Sequence, residues 1–207
     1  MFKRLLTFLK PYRPNLALMR AREEAYERAF GVEAQILHST DRKVPHVDIY
    51  VFPPAGKRDF VVLLTGGMSD LPMAVPEGST AQAHIELIMG MGEHAHWATN
   101  LLKLVAEYPF EQRTFYDARH TVPFGGELGD GSSLSAFLFV RPRFLPERLG
   151  QFEFEGRRIG FLQVVPITTT EHEFAVAQGS DNLEALLERQ GHLITRDPNR
   201  QSVVQGS

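Results

Sequence analysis

The sequence predicts an α+β fold: a single domain built on a mixed, mainly antiparallel sheet that is flanked by helices. Some segments alternate apolar and polar residues, as strands do, and others repeat apolar residues at helical spacing. The strand-like segments are joined sometimes by hairpin-sized connections and sometimes by helices, which is typical of this class. A length of 207 residues with 43% hydrophobic content suits one domain with a substantial core.

The first half of the chain predicts one helix and three strands. A helix is predicted from Asn15 to Phe30, because Pro14 precedes it, Asn15 can cap its first turn and Gly31 can end it. Strands are predicted over 46–52, 60–65 and 83–89. We expect the first strand to be half-buried, because its apolar and polar residues alternate. The second is a continuous apolar run, which fits a central strand.

The second half predicts further helices and strands in alternation. A helix is predicted from Trp97 to Tyr108, with Leu101, Leu102, Leu104 and Val105 forming its apolar stripe and Pro109 ending it. Strands are predicted over 134–140 and 159–165, and Pro166 is expected to end the second one. A small hairpin is predicted around Gly156. Two helices follow, one that begins at Thr168–Thr170 and a last one that is capped by Asp181 and runs to about Gln190.

Charge and cysteine content exclude several classes of function. The net charge is −3, so the chain lacks the overall basic field that favours nucleic acid. The chain has no cysteine, which excludes disulfides, thiolate metal sites, iron–sulfur clusters and cysteine nucleophiles. This composition suits a reducing compartment, and we expect a cytoplasmic protein without a cofactor.

The two ends of the chain are predicted to lie outside the domain, which we place at 15–195. Residues 1–14 form a basic arm whose apolar stretch is too short for a secretory signal or a spanning helix. Residues 1–28 hold seven Lys/Arg and three Asp/Glu, a net of +4, so the rest of the chain carries −7. The arm is expected to cover the edge of the domain, with weak adhesion to an anionic membrane as the alternative. Residues 196–207 are predicted to be a disordered polar tail.

Motifs for known catalytic and nucleotide-binding sites are missing from the sequence. It contains no G-x-S-x-G elbow, no phosphate-binding loop ending in Gly-Lys-Ser/Thr and no H-E-x-x-H helix. The Gly-rich segment 125–131 lacks a lysine and precedes a strand, so it is predicted to be a flexible connection. Ser69, Asp70 and His120 do not have a spacing that requires a catalytic arrangement, and Glu86 is expected to be a structural carboxylate.

Histidines provide the alternative interpretation, a metal-assisted hydrolase. His94 and His96 have a spacing that can bind a metal from an extended segment. His84 and His120 are the further candidate ligands. Against this interpretation, a two-residue spacing between histidines is common by chance, and both residues precede a helix where polar side chains often cap or face solvent. We therefore predict no metal site.

Several segments, taken in order, resemble suppressor of fused family domains, particularly the single-lobed bacterial ones. The matching segments are 47–54 (VDIYVFPP), 64–73 (LTGGMSDLPM), 86–88, Trp97 with Leu101 and Leu102, 108–109, 120–123 (HTVP), and 160–167 (GFLQVVPI) with Glu171, Glu173 and Phe174. The resemblance spans roughly residues 22–195, and the second and last segments are the most distinctive.

The resemblance implies an α+β protein-binding domain without catalysis. Animal relatives restrain a transcription factor, and bacterial relatives are associated with polymorphic toxin systems as immunity proteins. The resemblance therefore implies a protein partner, such as a cognate toxin, that the domain sequesters. The animal pattern has a second lobe that this chain lacks, so a two-lobed clamp is not implied.

Two segments are candidates for binding that partner. Residues 66–79 carry methionines in an irregular loop, and methionine-rich loops adapt to partner surfaces. The alternative is that Met68 and Met73 fold back into the core. The acidic Gly-rich loop is the second candidate, because it can select a basic partner. The candidate contact residues are Met68, Ser69, Asp70, Leu71, Met73, Glu127 and Asp130.

Overall fold

The computed structural model describes residues 15–40, 43–129 and 131–204. Its helices are α1 (Leu16–Phe30), α2 (His96–Gln112), α3 (Glu147–Gly150), α4 (Thr169–Gln178) and α5 (Ser180–Arg189), with a 3-10 turn at Met68–Asp70. Its strands are β1 (Gln35–Leu37), β2 (Asp48–Phe52), β3 (Val61–Gly66), β4 (Ile85–Met91), β5 (Thr121–Pro123), β6 (Leu134–Val140), β7 (Glu153–Phe154), β8 (Arg157–Arg158) and β9 (Gly160–Thr168). The basic arm 1–14 lies outside the described residues.

A seven-stranded sheet forms the centre of the domain in the order β1-β2-β3-β4-β9-β6-β5. Its pairs are antiparallel except β4 with β9, which is parallel. The strands β7 and β8 form a separate two-stranded hairpin. The predicted class, an α+β domain with a mixed, mainly antiparallel sheet and flanking helices, is confirmed.

Both faces of the sheet are covered by helices. One face packs against α2, and the opposite face packs against α1 and α3 at one end and against α4 and α5 at the other. The strand β2 shows the consequence: Ile49 and Val51 belong to the core under α2, while Tyr50 and Phe52 belong to the core under α1. The prediction that this strand is half-buried is wrong, because α1 covers the face that was expected to meet solvent.

The ends of α1 follow the signals in the sequence. The Asn15 side chain accepts hydrogen bonds from the N–H groups of Ala17 and Leu18, both at 3.1 Å. Gly31 has φ 70° and donates its N–H to the carbonyl of Glu27 at 2.8 Å. These contacts satisfy backbone groups that a helix end leaves without an intrahelical partner.

Two prolines were expected to end elements and do not. The helix α2 continues through Pro109 to Gln112. Pro109 has no N–H to donate to the carbonyl of Val105, and this carbonyl accepts a hydrogen bond from the Tyr116 hydroxyl at 3.0 Å instead. The strand β9 continues through Pro166. A proline is tolerated there because β4 pairs with β9 only over Gly160–Gln163, which leaves one edge of β9 beyond that ladder.

Other short elements differ from the predictions. The strands β1 and β5 and the helix α3 were not predicted, because they are only three or four residues long. Asp181 lies in the first turn of α5, whose N-cap is Gly179. The capping box at the start of α4 is formed by Thr168 and Glu171, in agreement with the predicted start.

The C-terminal segment does not behave as the predicted disordered tail. Its described part, to residue 204, lies against the domain, and Thr195 extends the sheet beside Met91. Arg200 is buried and makes two contacts with the Glu171 carboxylate, at 2.5 and 2.7 Å. A polar composition did not prevent folding here because the domain supplies a buried carboxylate as partner.

Within the described residues, the helices are too short or too polar to cross a membrane.

Candidate functional site

The predicted binding loop that follows β3 is largely buried. Met68 and Met73 lie in the core under α2, with 1% and 4% of their surfaces exposed, and Ser69 is fully buried. Of the two alternatives that the sequence left open for this loop, the one observed is that both methionines fold back into the core. Asp70 and Leu71 keep partial exposure.

The loop is held by a buried carboxylate on β4. Glu86 is fully buried, and its Oε1 accepts hydrogen bonds from the N–H groups of Gly67 and Ser69, both at 3.1 Å, and from the Ser69 hydroxyl at 2.6 Å. Its Oε2 accepts the hydroxyl of Thr65 at 2.7 Å. Glu86 is therefore the structural carboxylate expected from the sequence, and it explains why Thr65, Gly67 and Ser69 occur together before it.

Arg22 of α1 completes this cluster. Its Nη1 lies 2.8 Å from Asp70 Oδ1 and 3.3 Å from Glu86 Oε1, and 2% of the residue is exposed. Burial by itself would lower the pKa of Arg22, but the carboxylates of Glu86 and Asp70 raise the pKa above its ordinary value. The guanidinium therefore stays charged inside the protein.

Burial raises the pKa of Glu86, while Arg22 and the hydroxyls of Ser69 and Thr65 act in the opposite direction. All of the contacts of Glu86 are hydrogen-bond donors, which fits an ionised carboxylate. Because its oxygens are already occupied by the protein's own donors, the cluster orders the loop and does not present a general acid to solvent.

Gly67 has the backbone geometry that this loop needs. Its φ is +118°, and a Cβ at this position would lie 2.0 Å from the carbonyl oxygen of His46. A side chain is excluded both by the positive φ and by the neighbouring backbone. The Gly-Gly-Met-Ser-Asp sequence is thus explained by packing and by hydrogen bonds to Glu86.

The candidate metal ligands do not gather at one place. His84 Nδ1 lies 2.8 Å from the carbonyl oxygen of Ser69, and His94 Nε2 lies 2.9 Å from Thr99 Oγ1. The ring of His96 lies 5.5 Å from that of His94, and burial together with this neighbour lowers the pKa of His94. His120 Nδ1 accepts the N–H of Asp117. Among residues 15–40, 43–129 and 131–204, no group of three His, Asp or Glu residues could hold a metal ion.

The Gly-rich loop is anchored at its start and in its middle. Phe124 donates its N–H to the carbonyl of Ser135, and buried Leu128 donates its N–H to the carbonyl of Leu134, both at 2.9 Å. The exposed Glu127 accepts the N–H of Gly131 at 2.9 Å. Asp130, the other predicted contact residue on this loop, lies outside the described residues.

The helix α2 turns apolar side chains toward solvent beside this loop. Leu104 is 50% exposed and Tyr108, one turn further along, is 42% exposed, while Phe124 on the loop is 43% exposed. Leu104 was predicted to belong to the buried stripe of the helix. It lies at the edge of that stripe, so only Leu101, Leu102 and Val105 reach the core.

A groove of about 510 Å³ separates α2 from the loop. Its main lining residues are Trp97, Asn100 and Leu104 from the helix and Phe124, Glu127 and Gly129 from the loop. The backbone of Gly129 lies close to the Trp97 indole. A Cβ on residue 129 would lie only 3.1 Å from the indole Cγ. We call the exposed faces of Trp97, Leu104, Tyr108, Phe124 and Glu127 the α2–loop surface. It combines exposed apolar area with one carboxylate.

Sequence reasoning found only part of this surface. The sequence identified the charge of Glu127 and the helix that carries Trp97, and the structure shows that Trp97 packs against the core while remaining partly exposed. Phe124 and Leu104 were missed as surface residues. Their signal was weak, since an apolar residue at the edge of an amphipathic stripe can lie on either side of the boundary.

A second groove of about 500 Å³ lies at the opposite end of the sheet strands, over Ile85 and Phe161. An adjoining groove has Arg119 and Arg143 on its rim. These arginines contact acidic residues of α5, Asp181 at 2.6 Å and Glu184 at 2.7 Å. The chain supplies partners for these two charges, whereas the α2–loop surface carries the exposed Leu104, Tyr108 and Phe124. The α2–loop surface is therefore the better candidate for binding another protein.

Comparisons with known proteins agree on one family. The family model described as suppressor of fused protein matches residues 43–201. No curated protein gives a significant match. A structure from Neisseria gonorrhoeae, described as a homologue of suppressor of fused, is 16% identical with a TM-score of 0.73, and the alignment covers 93% of this chain and 100% of that one.

Two further structures share the fold. A chain from the crystal structure of the Sufu–Fu complex is 16% identical with a TM-score of 0.71, and 90% of this chain and 92% of that chain are covered. Drosophila Suppressor of Fused is 16% identical with a TM-score of 0.70, and the match covers 90% of this chain but only 51% of that one.

Proposed function

The chain belongs to the suppressor of fused family, and from this premise we propose that it is a non-catalytic domain that binds and sequesters a partner protein. One solved relative is a complex of Sufu with Fu, so a domain of this fold occurs in a protein–protein complex. Binding at a surface needs exposed complementary area and no reacting group.

The observation that carries the proposal is the α2–loop surface. Leu104, Tyr108 and Phe124 are three of the six large hydrophobic residues exposed in the described part of the chain, and they belong to one helix and the loop beside it. Aromatic residues grouped with leucine around a groove are typical of the centre of a protein interface. Such clustering is uncommon where a surface only meets water.

We propose further that the partner is a toxin domain and that the chain acts as its immunity protein in the cytoplasm. Support comes from the resemblance to bacterial members and from the charge of −7 carried by the chain after residue 28. Nucleic-acid-cleaving toxins need basic surfaces, and an acidic inhibitor captures a basic partner quickly. Blocking such a surface by stoichiometric binding inactivates the toxin without chemistry.

The test is affinity capture of the untagged chain's partners from native lysate, with identification by mass spectrometry. The wild type is compared with Leu104→Arg, which places a charge in the centre of the α2–loop surface. The matched control is Val176→Arg, because Val176 is 72% exposed and lies on α4. Both substitutions are at exposed positions and should leave the fold intact, which circular dichroism checks.

We expect one stoichiometric partner with the wild type and with Val176→Arg, and its loss with Leu104→Arg. Co-expression of a recovered toxin domain with each variant then tests immunity, since only variants that bind should restore growth. Equal retention by Leu104→Arg would reject the surface. A partner whose toxicity is unaffected by the bound chain would reject the immunity role while leaving protein binding in place.

A further inference from the structure

The groove of the α2–loop surface combines an aromatic lining with hydrogen-bond acceptors at its rim. The indole of Trp97 and the ring of Phe124 line it together with the aliphatic side chain of Leu104. The polar side chains among its lining residues are those of Asn100 and Glu127, and both residues are exposed. A volume of about 510 Å³ falls in the range of sites that bind small groups, roughly 300–1,000 Å³.

Glu127 contributes a charge that the described protein does not neutralise. Its carboxylate accepts the N–H of Gly131, a neutral donor, and no ion pair to it is formed within the described ranges. A carboxylate next to exposed aromatic rings favours a cation. Hydrogen-bond acceptors at the rim favour a ligand with several N–H donors.

We propose that this groove binds an arginine side chain of the partner. The guanidinium would pair with Glu127 and stack on an aromatic ring, while its methylene stem would lie along Leu104. Arginine is favoured over lysine because a planar guanidinium stacks on aromatic faces and sheds water more easily than an ammonium. The inference rests on the proposed function, since it specifies which residue of the partner enters the surface.

Binding in this groove can be followed by the protein's own tryptophan fluorescence. Trp97 is the only tryptophan in the chain, so its emission follows events in the groove without a label. The probe is the peptide acetyl-Leu-Arg-Leu-amide, and its matched control contains citrulline, which has nearly the same shape but no charge. Both peptides are titrated into the full chain and into two variants.

The variants separate a local charge from the overall charge. Glu127→Gln removes the carboxylate at the rim. Glu173→Gln removes another exposed carboxylate, on α4, away from the lining residues of the groove. Circular dichroism is used to check that both variants are folded.

We expect a saturable change in Trp97 emission with the arginine peptide, about fivefold weaker binding of the citrulline peptide, and about threefold weaker binding of the arginine peptide to Glu127→Gln. Glu173→Gln should match the wild type. Equal binding of the two peptides, an unchanged affinity in Glu127→Gln, or no saturable change would overturn the inference.

The two proposals fail separately. If Leu104→Arg loses the captured partner but the peptides are not distinguished, the binding function stands and the arginine site is wrong. If the peptides are distinguished but Leu104→Arg keeps its partner, the groove binds arginine and the partner uses another surface.

Discussion

Arg22 shows how one buried charge orders a loop. It extends from α1 to Asp70 and Glu86, and its Nε is buried without a hydrogen-bond partner among the described residues. Removing one member of a buried ion pair leaves the other charge without compensation, which typically costs several kcal/mol. The sequence around Arg22 does not identify this role, since nothing local reveals that two carboxylates approach from a distant turn and strand.

Arg22→Met is expected to lower the free energy of unfolding by about 3 kcal/mol near neutral pH. Arg22 lowers the pKa of Glu86, so its removal raises the folded-state pKa further above the ordinary 4.5. Between the unfolded-state and folded-state values, the folded variant binds more protons than the unfolded one, so its stability falls as pH rises. The decrease in the free energy of unfolding caused by Arg22→Met should therefore be smaller at pH 5 than at pH 7.5.

Urea denaturation of the wild type and the variant at the two pH values measures this difference. Arg28→Met, at a side chain that is 66% exposed, is the control and should leave stability unchanged at both. If Arg22→Met is destabilised equally at pH 5 and pH 7.5, then Arg22 does not lower the pKa of Glu86.

At the scale of elements, α2 depends on a side chain from the following segment. Pro109 cannot donate to the Val105 carbonyl, and the Tyr116 hydroxyl does so instead. The Tyr116 ring also stacks on Phe139, at 4.2 Å between centroids. The sequence showed Pro109 but not the hydrogen bond from Tyr116 to the Val105 carbonyl, because these two residues come together only when the chain folds back after α2.

Tyr116→Phe is expected to lower the free energy of unfolding by about 1 kcal/mol, because it leaves a buried carbonyl without its donor while keeping the ring. The matched control is Tyr108→Phe, at a residue that is 42% exposed, which should have no measurable effect. Thermal and urea unfolding measure both. Equal stabilities for Tyr116→Phe and the wild type would mean that water replaces the hydroxyl.

The C-terminal segment is held by the Arg200–Glu171 pair. Glu171 is fully buried, and it also accepts the N–H groups of Thr168 and Val203 at 2.9 and 2.8 Å. One carboxylate therefore joins the start of α4 to the end of the chain. Polar composition alone predicted disorder here, since a buried carboxylate far away in sequence cannot be recognised as the partner.

Arg200→Met is expected to cost about 3 kcal/mol of folding stability, because it leaves Glu171 buried without its counter-charge. Hydrogen exchange should become faster in residues 193–204. Arg196→Met is the control, since Arg196 and its partner Asp59 are both mostly exposed, and it should not change either quantity. Unchanged protection of this segment in Arg200→Met would mean that apolar contacts hold it.

At the scale of the molecule, local signals predicted the central elements better than their burial. The β2–β3 hairpin, β6 and the ends of α1 follow from alternation, apolar runs and capping residues that act over a few positions. The burial of Met68 and the exposure of Leu104 depend on which distant elements lie above them. Glu127 was identified from its charge, whereas the aromatic groove beside it exists only once α2 and the loop are brought together.

Hydrogen exchange on the chain, free and in complex with the captured partner, tests whether the α2–loop surface binds that partner. We expect the complex to slow exchange in residues 97–108 and 124–129 and to leave α4 and the second groove over Ile85 and Phe161 unchanged. Protection confined to that second groove or to α4, with no change along α2 and the Gly-rich loop, would contradict the claim that the α2–loop surface binds the partner.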